Sequence, residues 1–393
     1  ITISGSAVGR EREILSRQVA RFMAANPGVT VRIQQTPDDA TQRHQLYVQW
    51  LNARVGSPDV LQLDVIWTAE LAAAGWILPL DRFAPDRGDF FPATIAANEW
   101  LGSLYALPWF VDVGMLFWRS DLVDRAPQSL EELNTSARRA MATHGIRNGV
   151  VWQGARYEGL VTVFAEYLGA FGGSILDRQG RVAVDSPAAV RALTFMRDQI
   201  RSGVAPREAL TWHEEECRFA FQNGTAVFMR NWPYAVAPLS DATESRVAGR
   251  FAVAPMPGAE GGRATASLGG AQLAINAWSG NPDLAWRLIA FLTAPEAMLE
   301  RAEVVGQYPP RMSLYSSPAL AAALPVSPGD VRRIIAAATP RPVTPLYAEL
   351  SGELQVGLHR ALTGEAEPRR ALADTAAKMR RIIDESGMAG AHR

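Results

Sequence analysis

Residues 1–65 alternate short apolar strands with amphipathic helices, and that order constrains the fold more than anything else in the chain. Ile1–Ser4 reads as a strand and Glu11–Ala25 as a helix stopped by Asn26-Pro27-Gly28. Val29–Gln34 alternates with period two, Thr41–Arg54 returns to helical spacing, and Val60–Val65 is an apolar third strand. Strand–helix alternation of this kind implies a parallel α/β sheet. In such sheets ligands lie beyond the carboxyl ends of the strands, where Asp64 is placed. The 393 residues are too many for one hydrophobic core, so two domains are expected.

The middle of the chain changes pattern. Leu104–Pro108 and Val113–Trp118 are extended apolar runs joined through Asp112, which reads as a first crossing between domains. Helices are expected over Ser129–His144, Gly159–Phe171 and from Ser186-Pro187 to Ser202, the last with a serine cap and a proline in its first turn. A strand is expected at Gly149–Trp152, and Leu268–Ile275 reads as a strand after a glycine-rich loop. Asn281-Pro282 opens a helix to Leu292, and Thr293-Ala294-Pro295-Glu296 has capping-box spacing. After the proline-rich connector Thr339–Pro345, two helices, Leu346–Leu362 and Pro368–Ser386, close the chain.

Composition excludes several classes. A net charge of −1 argues against nucleic acid as a partner, because phosphate binding needs a clustered basic surface. Cys217 is alone, so no intrachain disulfide can form. The five histidines are scattered, and His213-Glu214-Glu215-Glu216-Cys217 lacks the second histidine of a zinc-protease motif, so no metal site is expected. Dinucleotide and phosphate-loop fingerprints and Gly-x-Ser-x-Gly are missing, so no cofactor is expected. No run of 18 apolar residues exists to cross a membrane.

The segment Phe228-Met229-Arg230-Asn231-Trp232-Pro233-Tyr234 is the most suggestive of function. It sets an indole and a phenol beside a turn at the end of an apolar run. A flat aromatic there suits a pyranose ring, whose C–H face packs on a π-surface while its hydroxyls meet polar groups at the rim. A buried core tryptophan satisfies the same pattern.

Taken together, several segments resemble an extracellular solute-binding protein of an ABC sugar importer, in the trehalose/maltose-binding group. They include FMAANPGVTV (22–31), PDVLQLDVIW (58–67), GWILPLD (75–81) and YALPWFVDVGMLFW (105–118). Further on come VWQGARYEGL (151–160), NWPY (231–234), LGG (268–270) and RPVTPLY (341–347). The segment from Gln153 to Gly159, with the arginine-rich composition, is similar to the mycobacterial trehalose-recycling lipoproteins of that group.

The resemblance implies a maltose-binding-protein-like fold: two α/β lobes joined by hinge strands, with a sugar in the cleft between them and closure stabilised by ligand. It implies lobes of 1–112 with 270–312 and of 113–269 with 313–393, with further crossings near Gly269 and Pro310. It implies a non-enzymatic receptor that binds a glucose disaccharide, trehalose foremost, and delivers it to ABC permease subunits with their ATPase. A monomer outside the cytoplasm, lipid-anchored, is expected. The chain opens on a strand, so an export signal and anchor cysteine would lie upstream.

Carried over residue by residue, the family's site falls on Glu11, Gln42, Arg43, Asp64 and Asp112 in the first lobe. The remaining positions are Glu214, Trp232, Tyr234, Gly306, Gln307 and Arg341. Carboxylates would accept from sugar hydroxyls and arginines would donate to them. Ala271 stands where the family often has a tryptophan, which would widen one subsite.

Plainer roles stand beside these. Asp64 can cap the next helix, Glu214 can be a helix-N-terminal charge, Arg43 can be a surface group and Arg341 can pair with C-terminal acids. Asp112 and Glu214 could also be the acid/base pair of a glycoside hydrolase, and a non-sugar interaction protein is a third reading.

Overall fold

A computed structural model describes residues 1–5, 10–324 and 326–387. The chain divides into two compact units. The first comprises Ile1–Asp112, Gly269–Arg332 and Val343–Tyr347; the second comprises Val113–Leu268, Arg333–Pro342 and Ala348–Arg393.

In the first unit, strands Arg32–Gln35, Thr2–Gly5 and Val60–Asp64 lie side by side and parallel. The stretch Ala271–Ile275 adds to Val60–Asp64 antiparallel, with Ala271 opposite Asp64. Helices Glu11–Ala25 and Ala40–Asn52 connect the parallel strands, as the apolar spacing predicts. Tyr47, Leu51, Leu61, Leu63, Trp67 and Leu71 build one core cluster. Tyr47 is fully buried there and spends its hydroxyl on the Gln62 carbonyl at 2.8 Å and on Ser4 Oγ at 2.5 Å. The second strand is shorter than its sequence pattern, because Val29–Val31 carries a turn off Asn26 before pairing begins.

The second unit holds a four-stranded sheet in the order Phe251–Pro255, Met115–Arg119, Ala226–Asn231, Asn148–Val151. Ala226–Asn231 is parallel to Asn148–Val151 and antiparallel to Met115–Arg119. Helix Glu158–Ala170 is buried along nearly its whole length. Helix Pro187–Arg201 begins as expected, with the Ser186 hydroxyl accepting from Ala189 N at 3.3 Å.

Three local expectations change. The break between the two central strands falls at Gly114, and Asp112 is the penultimate residue of strand Ala106–Val113. The capping box at Thr293 does not form: the Thr293 hydroxyl donates back to the Ile289 carbonyl at 2.8 Å, and Ala294 takes the cap position. Residues 313–332 and 343–347 group with the first unit instead of the second, so the chain leaves the first unit after Arg332 and not near Pro310. The tie is local. Both oxygens of Asp89 accept from Ser313, at 2.9 Å from its amide and 2.7 Å from its hydroxyl, and Tyr315 packs edge-on to Phe91.

Candidate functional site

In the first unit the structure brings Glu11, Gly306 and Gln307 together. Gln307 Nε2 donates to Glu11 Oε1 at 2.5 Å. The Gln307 carbonyl oxygen is held from behind by Arg301, through Nε at 2.9 Å and Nη2 at 2.6 Å, and this fixes which end of the amide faces Glu11. Arg301 is fully buried and its guanidinium carbon lies 3.9 Å from the Trp109 ring centroid. Burial pulls Arg301 down to about 10, opposed by Glu11, Asp112 and Glu300, so it remains a cation at neutral pH. Gly306 ends helix Pro295–Val305 with a φ of 77°, a left-handed cap for which glycine is suited. Gln307 follows that cap, and its side-chain oxygen meets Arg301 of the same helix.

Arg43 and Gln42 open helix Ala40–Asn52. Gln42 is exposed, and its amide donates to the Asp39 cap at 2.8 Å. Arg43 Nη1 donates to the Pro37 carbonyl at 2.9 Å, and its guanidinium lies 5.4 Å from the Trp67 ring centroid. Asp64 ends its strand half-buried, with Oδ1 accepting from Ile66 N at 3.3 Å. This is a local Asx turn, and the following helix takes Trp67 as its cap instead. Asp112 is half-buried at the end of its strand. Gly270 makes that strand's neighbour possible: a Cβ there would sit 2.2 Å from the Phe110 carbonyl oxygen, and φ is +120°.

In the second unit Glu214 and Trp232 come together. Glu214 is the first residue of helix Glu214–Gln222, and Trp232 follows strand Ala226–Asn231. The Trp232 indole N–H donates to Glu214 Oε1 at 3.4 Å, and the Tyr157 hydroxyl donates to Glu214 Oε2 at 2.7 Å. Burial first, and then the Glu214 carboxylate, push the Tyr157 phenol well above its ordinary value, so it stays a donor. Trp232 is half-buried, with the Arg230 guanidinium carbon 3.9 Å from its ring centroid.

Two sequence candidates take framework roles. Tyr234 is buried and its hydroxyl donates to Glu215 Oε1 at 2.6 Å. Burial would raise Glu215, yet hydrogen bonds from Arg218 and Tyr234 hold it below the ordinary value. Arg341 is buried, with Nη1 2.5 Å from Glu158 Oε1 and 3.3 Å from the Thr162 hydroxyl. Its ion-pair partner Glu158 is the first residue of helix Glu158–Ala170.

The sequence reading missed Arg230, Glu166, Arg301 and Tyr157. A signal was present for the first two. Helix Glu158–Ala170 is apolar on almost every face, yet it carries Glu158 and Glu166. A carboxylate in such surroundings needs a buried cation, and the two acids meet Arg341 and Arg230. Arg301 gave no such signal: Gln307, six residues on, is a neutral amide, and Trp109 and Glu11 lie far away along the chain. Among the described residues no cluster of three or more metal-ligating side chains occurs, and no helix is long and apolar enough to cross a membrane.

The profile of a family described as bacterial extracellular solute-binding protein matches residues 9–299. A Deinococcus radiodurans protein named "Probable ABC transporter-binding protein" is 34% identical over 372 residues, covering 91% of this chain and 88% of its own. Among solved structures, maltose-bound MalE3 of T. maritima is 41% identical with a TM-score of 0.93, covering 97% of this chain and 99% of its own. The GacH receptor of Streptomyces glaucescens, solved unliganded and with acarbose, is 25% identical with a TM-score of 0.88, covering 98% of each chain.

Proposed function

This chain belongs to the bacterial extracellular solute-binding protein family, as the extracytoplasmic substrate-binding component of an ABC sugar importer and not an enzyme, and we propose that its ligand is a glucose disaccharide. Two disaccharides are in contention. The segment from Gln153 to Gly159 and the arginine-rich composition favour trehalose, while the 41% identity to a maltose-bound protein favours maltose. We further propose that the native protein is lipid-anchored, which mass spectrometry of protein extracted from membranes would detect.

The observation that carries the reading is the Trp232 indole. It stands at a strand end, backed by Arg230 and held at its N–H by Glu214. A half-buried aromatic so fixed offers a flat apolar surface to a pyranose without further ordering, which lowers the entropic cost of binding. The proposed polar contacts are Arg43, Asp64, Asp112 and the Glu11–Gln307 pair of the first unit, with Gln42 and the Gly306 backbone beside them. In the second unit the polar contact is Glu214, beside the Trp232 platform. Tyr234 and Arg341 we assign to holding this framework.

Calorimetric titration with trehalose and with maltose tests the proposal. Saturable heat is expected with at least one, the tighter ligand being the substrate. Absence of both heat and thermal stabilisation with either sugar would refute the disaccharide.

A further inference from the structure

Arg230 is the penultimate residue of strand Ala226–Asn231 and Trp232 follows the strand with extended backbone, so their side chains, two residues apart, leave on the same face. Arg230 is fully buried, as is Glu166, and the two form a fork: Nε to Oε2 at 2.8 Å and Nη2 to Oε1 at 2.5 Å. Glu166 Oε1 also accepts from Ser267 N at 3.2 Å, and Arg230 Nη1 donates to Gln153 Oε1 at 3.3 Å. Gln153 in turn donates to the Arg230 carbonyl at 3.1 Å. These bonds leave the guanidinium one plane and one position. Gly114 gives the acid its room, since a Cβ there would lie 1.7 Å from Glu166 Oε1.

A pair buried this deeply is weak support for stability, because both charges are stripped of water. Its visible effect is on the indole. One face of Trp232 rests on the guanidinium and the N–H edge is held by Glu214, whose other oxygen is held by Tyr157. The ring therefore has its tilt set from behind and its rotation set at its edge.

We propose that Arg230, locked by Glu166 and Gln153, is a positioning residue that fixes the plane of the Trp232 indole for the sugar. This rests on Trp232 being a sugar contact, and the test separates the two. The protein is labelled with 5-fluorotryptophan, and the fluorine resonance of position 232 is identified among the eleven indoles by its loss in Trp232→Phe. Two variants are compared with wild type. Arg230→Lys keeps the countercharge for Glu166 but not the planar fork. Glu166→Leu with Arg230→Met removes both charges and strands neither, leaving only Ser267 N and Gln153 Oε1 short of a partner, and circular dichroism checks that both variants fold.

Without sugar, the 232 resonance is expected to shift and broaden in both variants. Sugar affinity is expected to fall roughly tenfold in both, from loss of the stacked, preorganised ring. In a Trp232→Ala background neither change should lower affinity further. An unchanged 232 line in both variants, or an affinity loss of equal size once Trp232 is gone, would overturn the positioning role. If wild type binds neither sugar, the disaccharide reading falls, while the fluorine spectra still decide what Arg230 does to the ring.

Discussion

Replacing Arg341 by alanine separates a ligand residue from a strut. The guanidinium is buried, and its Nη1 meets Glu158 Oε1 at 2.5 Å. Glu158 is buried as well, and its other oxygen accepts the Ser351 hydroxyl. Removing the arginine takes a countercharge from a buried carboxylate. Breaking one side of such a pair costs about 3–5 kcal/mol. For a body of this size each kcal/mol moves the midpoint by about 2–4 °C, so melting is expected roughly 6–20 °C lower. Thermal unfolding followed by circular dichroism measures this, and calorimetry on the folded variant measures sugar affinity, which should change little. Arg341→Met combined with Glu158→Leu should recover most of the loss, since no charge is stranded. A single variant that melts within about 2 °C of wild type but no longer binds sugar would refute the strut and restore Arg341 to the ligand set.

Other substitutions probe separate links. Trp232→Ala should weaken disaccharide binding by about 1–3 kcal/mol with the melting point nearly unchanged, checked by calorimetry. Asp64→Asn should cost about 1 kcal/mol of affinity by turning a charge-assisted acceptor into a neutral one, and equal affinity would remove Asp64 from the site. Tyr47, raised by burial to about 12, stays protonated in the folded chain while the unfolded chain ionises near its ordinary value of 10. Its contribution is therefore full below pH 10 and lost as pH rises through 12, roughly 3 kcal/mol in all. Tyr47→Phe should be less stable at neutral pH but lose stability less steeply across that window in denaturant titrations. Gly270→Ala should cost more than about 1 kcal/mol, because both φ and the Phe110 carbonyl oppose a side chain.

The sequence determined the elements. Period-two and helical spacing, with the Ser186 cap, placed helices such as Glu11–Ala25 and Pro187–Arg201 to within a residue or two, because those signals are local and repeat along the chain, while strand ends such as those of Arg32–Gln35 and Ala106–Val113 fell further off. They also placed Trp232 at a strand end and Asp64 at a carboxyl terminus, positions set by where regular structure stops. What the side chains do there was decided by tertiary contact. Arg341 found Glu158 across 183 positions, Gln307 found Glu11 across 296, and Arg230 found Glu166 across 64. Linear spacing does not encode which charges meet when sheets and helices pack. The sequence could require that Glu158 and Glu166, set in an apolar helix, each have a cation, since an unpaired buried carboxylate is costly. Which arginine answers each of them was settled only when the helix was laid against its neighbours.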